Sequence, residues 1–194
     1  MYQLSLDYSA GISGKKLTKM IQTDLHLHTT YSDGRLSPAD LVHLCSSRGL
    51  KIIAITDHDS TDGVTEAIDT ANYLQGLEVI PGIELSADMP GRDIHLLGYF
   101  IEHKNSELQH TLKGLRDGRT ERARETVRKL SGLGIHIRFE RVQELSDGGA
   151  VGRPHIAQAM VENGYVQYPR EAFDKYLGKT GPAYVERDNY SPVT

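Results

Sequence analysis

Short apolar runs alternate with helical patterns from Ile21 to Phe100, the rhythm of βαβ units feeding a parallel sheet. The runs Thr23–His28, Lys51–Thr56, Leu77–Pro81 and Asp93–Phe100 each read as a strand. Between the first two, Ser37 is placed to cap a helix with Pro38 at its first position, an apolar stripe at Leu41, Leu44 and Cys45, and a stop at Gly49. Between the second and third, Asp62 is placed to cap a helix carrying Val64, Ala67, Ile68, Ala71 and Leu74, ended by Gly76. Beyond Phe100 the period becomes helical. Leu108, Leu112, Leu115, Ala123, Val127, Leu130 and Leu133 predict one long helix, or two joined near Gly114 and Gly118. Further helices are predicted over Phe139–Leu145, Pro154–Asn163 and Pro169–Leu177, punctuated by Gly148-Gly149 and Gly164. The expected organisation is therefore a lead-in extension (1–20), four strands of an α/β fold (21–100), a helical insertion (101–183) and the start of a return to the sheet (184–194).

Composition narrows the picture. The chain has 194 residues, short of the roughly 200–250 of a complete α/β barrel. A formal net charge of −4 argues against a surface that coats nucleic acid, so no stable nucleic-acid complex is expected and any nucleic acid is a substrate. The single cysteine, Cys45, rules out an internal disulfide framework and reads as a helix core residue. No apolar stretch suits a signal peptide or a membrane span, so a cytoplasmic, membrane-free location is expected.

The chemistry gathers at the strand ends. In Asp24-Leu25-His26-Leu27-His28, strand alternation sends His26 and His28 to one face, and the turn Thr30-Tyr31-Ser32-Asp33-Gly34 can return the Asp33 carboxylate over the strand end. The second strand ends in the polar burst Thr56-Asp57-His58-Asp59; turn and capping chemistry explains the two aspartates but not His58. In Pro81-Gly82-Ile83-Glu84-Leu85-Ser86, a glutamate framed by apolar residues is costly to bury unless it is paired or bound to a cation. The fourth strand places His95 in the apolar run Ile94-His95-Leu96-Leu97-Gly98. Imidazole plus carboxylate donors suit divalent ions such as Zn²⁺, Mn²⁺ or Fe²⁺, and the absence of usable thiolates argues against iron–sulfur chemistry.

These motifs together resemble the successive signatures of the PHP (polymerase and histidinol phosphatase) family. Gly152-Arg153-Pro154-His155-Ile156-Ala157 and Tyr176-Leu177-Gly178-Lys179-Thr180-Gly181-Pro182 further resemble the helical insertion of one branch, whose members act on nucleoside 3′,5′-bisphosphates and short RNA 5′ ends. The resemblance covers residues 22–192 and implies a distorted (βα)7 barrel holding up to three divalent ions, Mn²⁺ above all, with Fe²⁺ or Zn²⁺ as variants. It implies His26, His28 and Glu84 around one ion, Glu84 and His95 at a second, and Asp33 and His58 at a third, with Arg153 and His155 facing the substrate phosphate. A helix start at Pro154 and a bond from Arg153 to nearby backbone are the competing reading of that last pair. In the stripe Arg116, Arg119, Arg122, Arg124 and Arg128, Arg116 and Arg119 are the candidates for reaching the cleft.

The family pattern also carries a later Ala-His-Pro-Gly segment and an Asp-x-His pair, which lie beyond Thr194, so the resemblance makes this a C-terminally shortened barrel. A cloned fragment, an interrupted gene, or a short form completed in an oligomer through an open sheet edge would each account for that. The implied activity is metal-dependent hydrolysis of phosphate esters by an activated water, with no protein nucleophile. The competing functions are a histidinol-phosphate phosphatase, a polymerase accessory domain and an inactive metal-binding remnant.

Overall fold

The computed structural model describes residues 22–89 and 92–186. The expected lead-in extension lies outside them, as does most of the segment expected to return to the sheet. The order of elements is β1 (Thr23–Leu27), α1 (Pro38–Ser47), β2 (Ile52–Ile55), α2 (Val64–Asn72), β3 (Glu78–Met89), β4 (Arg92–Tyr99), α3 (Ser106–Gly132), α4 (Phe139–Leu145), α5 (Arg153–Glu162) and α6 (Pro169–Ala172), which continues as a π-helical turn over Phe173–Leu177.

The strands lie in the order β1-β2-β3-β4. β1, β2 and β3 are parallel, in the register Asp24 to Ile53 and Ile53 to Val79. Two right-sized crossovers make this possible. α1 starts as its sequence dictates: Ser37 accepts the Asp40 N–H and Pro38 supplies the first turn without a donor to satisfy. α2 departs from expectation at its cap. Gly63, not Asp62, is the N-cap residue, and the Asp62 carboxylate accepts the Ser60 hydroxyl at 3.1 Å instead. Leu41, Val42, Cys45, Ile53, Ile55, Val64 and Ala67 close one core beneath the sheet.

The fourth strand corrects the all-parallel expectation. β4 pairs antiparallel with β3, from Gly82 opposite Tyr99 to Met89 opposite Arg92. The reason is the connection: only positions 90 and 91 separate the strands, and a parallel return needs about a dozen residues. β3 accordingly runs well past the Leu77–Pro81 segment that its apolar run marked out. The sheet also curls. β1 and β4 stand at opposite ends of the strand order, yet the Tyr99 hydroxyl donates to the Leu25 carbonyl at 3.0 Å, making a half-barrel.

α3 is one unbroken helix, capped by Asn105, whose side chain accepts from the N–H groups of Glu107 and Leu108. With α4, α5 and the π turn it encloses a second core, built on Leu130, Val142, Ile156, Met160 and Leu177. This helical unit is tied by backbone to the strand ends. Ala150 N–H donates to Tyr31 O at 3.0 Å, and a Cβ at Gly149 would stand 2.5 Å from Thr30 O, so only glycine allows that approach. No helix among the described residues is long and apolar enough to cross a membrane.

Candidate metal centre

Four strands and two turns carry six imidazole and carboxylate groups to one place. Alternation along β1 puts His26 and His28 on the same side, where the Nε2 atoms of both reach Glu84 Oε2, at 2.9 and 3.0 Å. The chain then folds back on itself: Ser32 and Gly34 N–H groups both bond Thr29 O, and a Cβ at Gly34 would meet His28 O at 2.2 Å. This tight turn delivers Asp33, whose carboxylate lies 3.5 Å from His28 Nδ1 and 3.8 Å from His58 Nε2.

His58 is fixed by backbone. It forms an isolated parallel bridge with Glu84, flanked by Asp59 N–H to Glu84 O at 3.0 Å and Glu84 N–H to Asp57 O at 3.1 Å. The following residue, Asp59, takes φ of 49°, a left-handed turn that Asp tolerates better than most residues. His95 stands opposite Ser86 in the β3–β4 ladder, hence diagonal to Glu84 and on the same face, and its Nδ1 bonds Glu84 Oε1. The six residues form three overlapping triads, His26–His28–Glu84, His28–Asp33–His58 and His58–Glu84–His95, with ligand atoms within 4.8 Å of one another in each.

The electrostatics are those of a cation site. Burial opposes ionisation of Glu84, but bonds from His28, His95 and His26 overcome it and hold the carboxyl far below the usual carboxylate range. Burial pushes His58 down to about 4, helped by the Arg119 guanidinium, so it is neutral at physiological pH and has a lone pair to offer. Its buried Nδ1 has no hydrogen-bond partner among the described residues. Burial also works against a proton on His28, but Glu84 and Asp33 reverse the balance and raise it. A buried carboxylate ringed by imidazoles, one of them with an orphaned nitrogen, is a donor set that a divalent cation satisfies and that protein groups alone do not.

Buried polar residues brace this cluster. Asp57 accepts from Thr29 N–H at 2.7 Å, Thr29 Oγ1 at 2.6 Å and Ser32 Oγ at 2.5 Å, while burial pushes its carboxyl upward against those bonds. Arg119, a candidate in the basic stripe, extends from α3 to Asp59 Oδ2 at 2.5 Å and Ser86 Oγ at 2.6 Å. Arg116 Nη1 donates to Asp59 O at 3.0 Å.

Beside the cluster lies a cavity lined by Asp33, His58 and His95 together with Arg119, Arg122 and Arg153. Arg153 lines the cavity while its Nη1 donates to Leu177 O at 3.2 Å. His155 does not line it. Its Nδ1 accepts the Gly152 N–H at 3.1 Å, closing the first turn of α5, and it is 8 % exposed. A histidine three residues after the N-cap is in reach of that orphan N–H, and the bond engages Nδ1 alone. Arg122 was not singled out as a cavity residue, although with Arg119, Ala123 and Thr126 it follows the i, i+3, i+4, i+7 spacing of one helix face.

An α/β half-barrel whose strand ends converge on a histidine–carboxylate cluster defines a class of divalent-metal sites. The PHP domain profile matches residues 24–186, and the chain belongs to that family. Among curated relatives it is 36% identical over 165 residues to a 5′-3′ exoribonuclease of Haemophilus influenzae, covering 85% of this chain and 60% of that one. It is 34% identical over 167 residues to the 3′,5′-nucleoside bisphosphate phosphatase of Chromobacterium violaceum, covering 86% and 58%. An amidohydrolase structure from Chromobacterium violaceum, with bound sulfate and no metal, superposes with a TM-score of 0.80 at 33% identity, covering 86% of this chain and 59% of that one. The chain thus spans about three fifths of the length of these relatives.

Proposed function

We propose that this chain carries the metal centre of a phosphoesterase that hydrolyses phosphate esters of nucleotides or short RNA 5′ ends. The observation that carries the reading is a run of three overlapping triads, two of them sharing the buried Glu84 and the third joined to them through His28 and His58, beside a cavity lined by three arginines. His26, His28, Asp33, His58, Glu84 and His95 are the proposed ligands, with Mn²⁺ first among the candidate ions and Fe²⁺ or Zn²⁺ as alternatives. Bound divalent ions supply Lewis acidity, lowering the pKa of water towards neutrality and offsetting charge on phosphoryl oxygens.

The chain's own residues do the rest. Glu84 and the neutral His58 provide lone pairs without needing a proton removed first. Arg122 and Arg153 put positive charge where a phosphate would enter, and guanidinium geometry suits phosphate oxygens. Cys45 is buried in α1, away from the cavity, so no thiol attack is invoked. Phe173 and Tyr184 also line the cavity and give it apolar surface for a base or sugar. Two relatives named for RNA and for nucleoside bisphosphates support the nucleotide reading over histidinol phosphate. The curled sheet is read as the first part of a distorted (βα)7 barrel in a cytoplasmic enzyme. β1 pairs only with β2 among the described residues, so its outer edge is where further strands or a second copy would add.

The test is phosphate release from adenosine 3′,5′-bisphosphate in Mn²⁺. Activity should vanish on chelation and in His26→Ala; turnover that survives complete metal removal would sink the proposal.

A further inference from the structure

His28 belongs to two of the three triads, and its two ring nitrogens face different neighbours. Nε2 lies 3.0 Å from Glu84 Oε2, whereas Nδ1 lies 3.5 Å from Asp33 Oδ1 and 3.3 Å from Ser32 Oγ. Distance alone does not choose the ligating atom. The hydrogen bonds behind the ring do.

Ser32 is 1% exposed, so its hydroxyl finds its partners inside the protein. It has one hydrogen, and that hydrogen points at Asp57 Oδ1, 2.5 Å away. Asp57 is fully buried and is met by two more donors, Thr29 N–H and the Thr29 hydroxyl. The Thr29 oxygen itself accepts the Tyr31 N–H at 3.2 Å, which turns its own hydrogen towards Asp57. With three donors aimed at it, the Asp57 carboxylate acts only as an acceptor. Ser32 Oγ therefore presents lone pairs to His28, and a favourable contact requires a proton on Nδ1.

Resting on the metal reading above, we propose that Ser32 and Asp57 are positioning residues that commit His28 Nδ1 to its proton, so that a cation is ligated through Nε2 alone. The Asp57–Ser32–His28 chain is then the outer support that a metal-bound imidazole needs to fix its tautomer and ring angle. It also decides between the triads. His28 serves the ion held with His26 and Glu84, and the Asp33–His58 pair completes its shell without His28. The same bonds close the turn from Thr29 to Asp33, so one buried carboxylate sets both the ring of His28 and the placement of Asp33.

The experiment uses zinc as a diamagnetic probe. Long-range ¹H–¹⁵N spectra of the zinc-loaded wild-type chain should show His28 protonated at Nδ1 and metal-bound at Nε2. By calorimetry, Ser32→Ala should bind zinc about 10- to 100-fold more weakly, and Ser32→Thr should restore most of the loss. His28→Gln, whose amide reaches the place of Nε2, should keep more affinity than His28→Asn, which reaches the place of Nδ1. A purely packing role for Ser32 would lower the unfolding midpoint without moving the ring tautomer. The proposal is overturned by a zinc-bound Nδ1, or by a folded Ser32→Ala that binds zinc like wild type. Should Ser32→Ala fail to fold, the wild-type spectrum alone decides. Zinc bound through Nδ1 defeats this inference and leaves the phosphoesterase reading standing, whereas no zinc uptake defeats both.

Discussion

Replacing Arg119 with methionine tests whether α3 braces the segments that carry the proposed metal ligands or merely lies against them. Arg119 bridges α3 to Asp59 and to Ser86, which lie one residue beyond His58 and two beyond Glu84. Both partners of the ion pair are withdrawn from solvent, with side chains 10% and 3% exposed. Methionine keeps the apolar stem and removes the charge, leaving Asp59 with the Ser86 N–H as its remaining side-chain donor, at 3.1 Å. Removing one partner of a buried pair costs about 3–5 kcal/mol. The retained bond puts the expectation at the lower end, about 3 kcal/mol. For a chain of this size each kcal/mol moves the midpoint by about 2–4 °C, so a fall of roughly 6–12 °C is expected in metal-free buffer.

The assay is thermal unfolding by circular dichroism, with Arg128→Met as control. Arg128 pairs with Glu125 on the exposed face of the same helix, and its loss should leave the midpoint unchanged. Asp59→Asn completes the cycle, because Asn accepts the left-handed backbone at position 59. The double variant should cost less than the sum of the singles, since each removes the same contact. If Arg119→Met and Arg128→Met shift the midpoint equally, the buried bridge does not stabilise the fold and the reasoning fails.

Two further outcomes follow from the packing. Gly149→Ala should destabilise the fold and weaken metal binding by forcing the Thr30–Tyr31 backbone apart, while Gly118→Ala, with open space around its Cβ, should raise stability by about 0.4–1 kcal/mol; equal effects in urea titrations would refute the contrast. Cys45 is 4% exposed and its thiol is pushed up to about 11, by burial first and by Asp24 second. It should resist a thiol reagent at neutral pH until the chain unfolds. The native chain keeps a proton that the unfolded chain releases, so stability should fall as pH rises from the ordinary thiol range towards about 11, and rapid native labelling would contradict the buried placement.

Five of the six candidate ligands stood out because each broke a local rule: imidazoles in an apolar strand, a glutamate between isoleucine and leucine, a histidine at a strand end where capping explains only its neighbours; Asp33, an ordinary turn residue by itself, stood out only beside His26 and His28. Direction was harder. β4 carries the same apolar run in either orientation, and only Pro90-Gly91 in the sequence marks a turn too short for a crossover. Asp57 and Asp59 were indistinguishable from turn residues, because what sets them apart is partners at long range: Thr29 and Ser32 for one, Arg119 for the other. His155 shows a different gap. The resemblance assigned it a ligand, and the bond that its Nδ1 accepts from the Gly152 N–H, three residues back, was not foreseen.

Those long-range partners also explain why a mostly helical segment belongs with a sheet-borne site. Several ties run from the helical unit to the strand ends: Arg119 to Asp59 and Ser86, Arg116 to Asp59 O, Ala150 to Tyr31 O, and the close approach of Gly149 to the Thr30–Tyr31 backbone. Each lands within three residues of a proposed ligand, at Asp33, His58 or Glu84. Asp33 depends most on this support, because it stands on a turn rather than a strand and its ladder bonds are few. A strand-borne ligand such as His26 should therefore tolerate loosening of the insertion better than Asp33 does. The arginines that line the cavity come from the same insertion, so the element that would grip a phosphate also holds the turn carrying one of the ligands. On the proposed function, anchoring of substrate and alignment of the metal shell would be mechanically linked through α3 and the Gly149 loop.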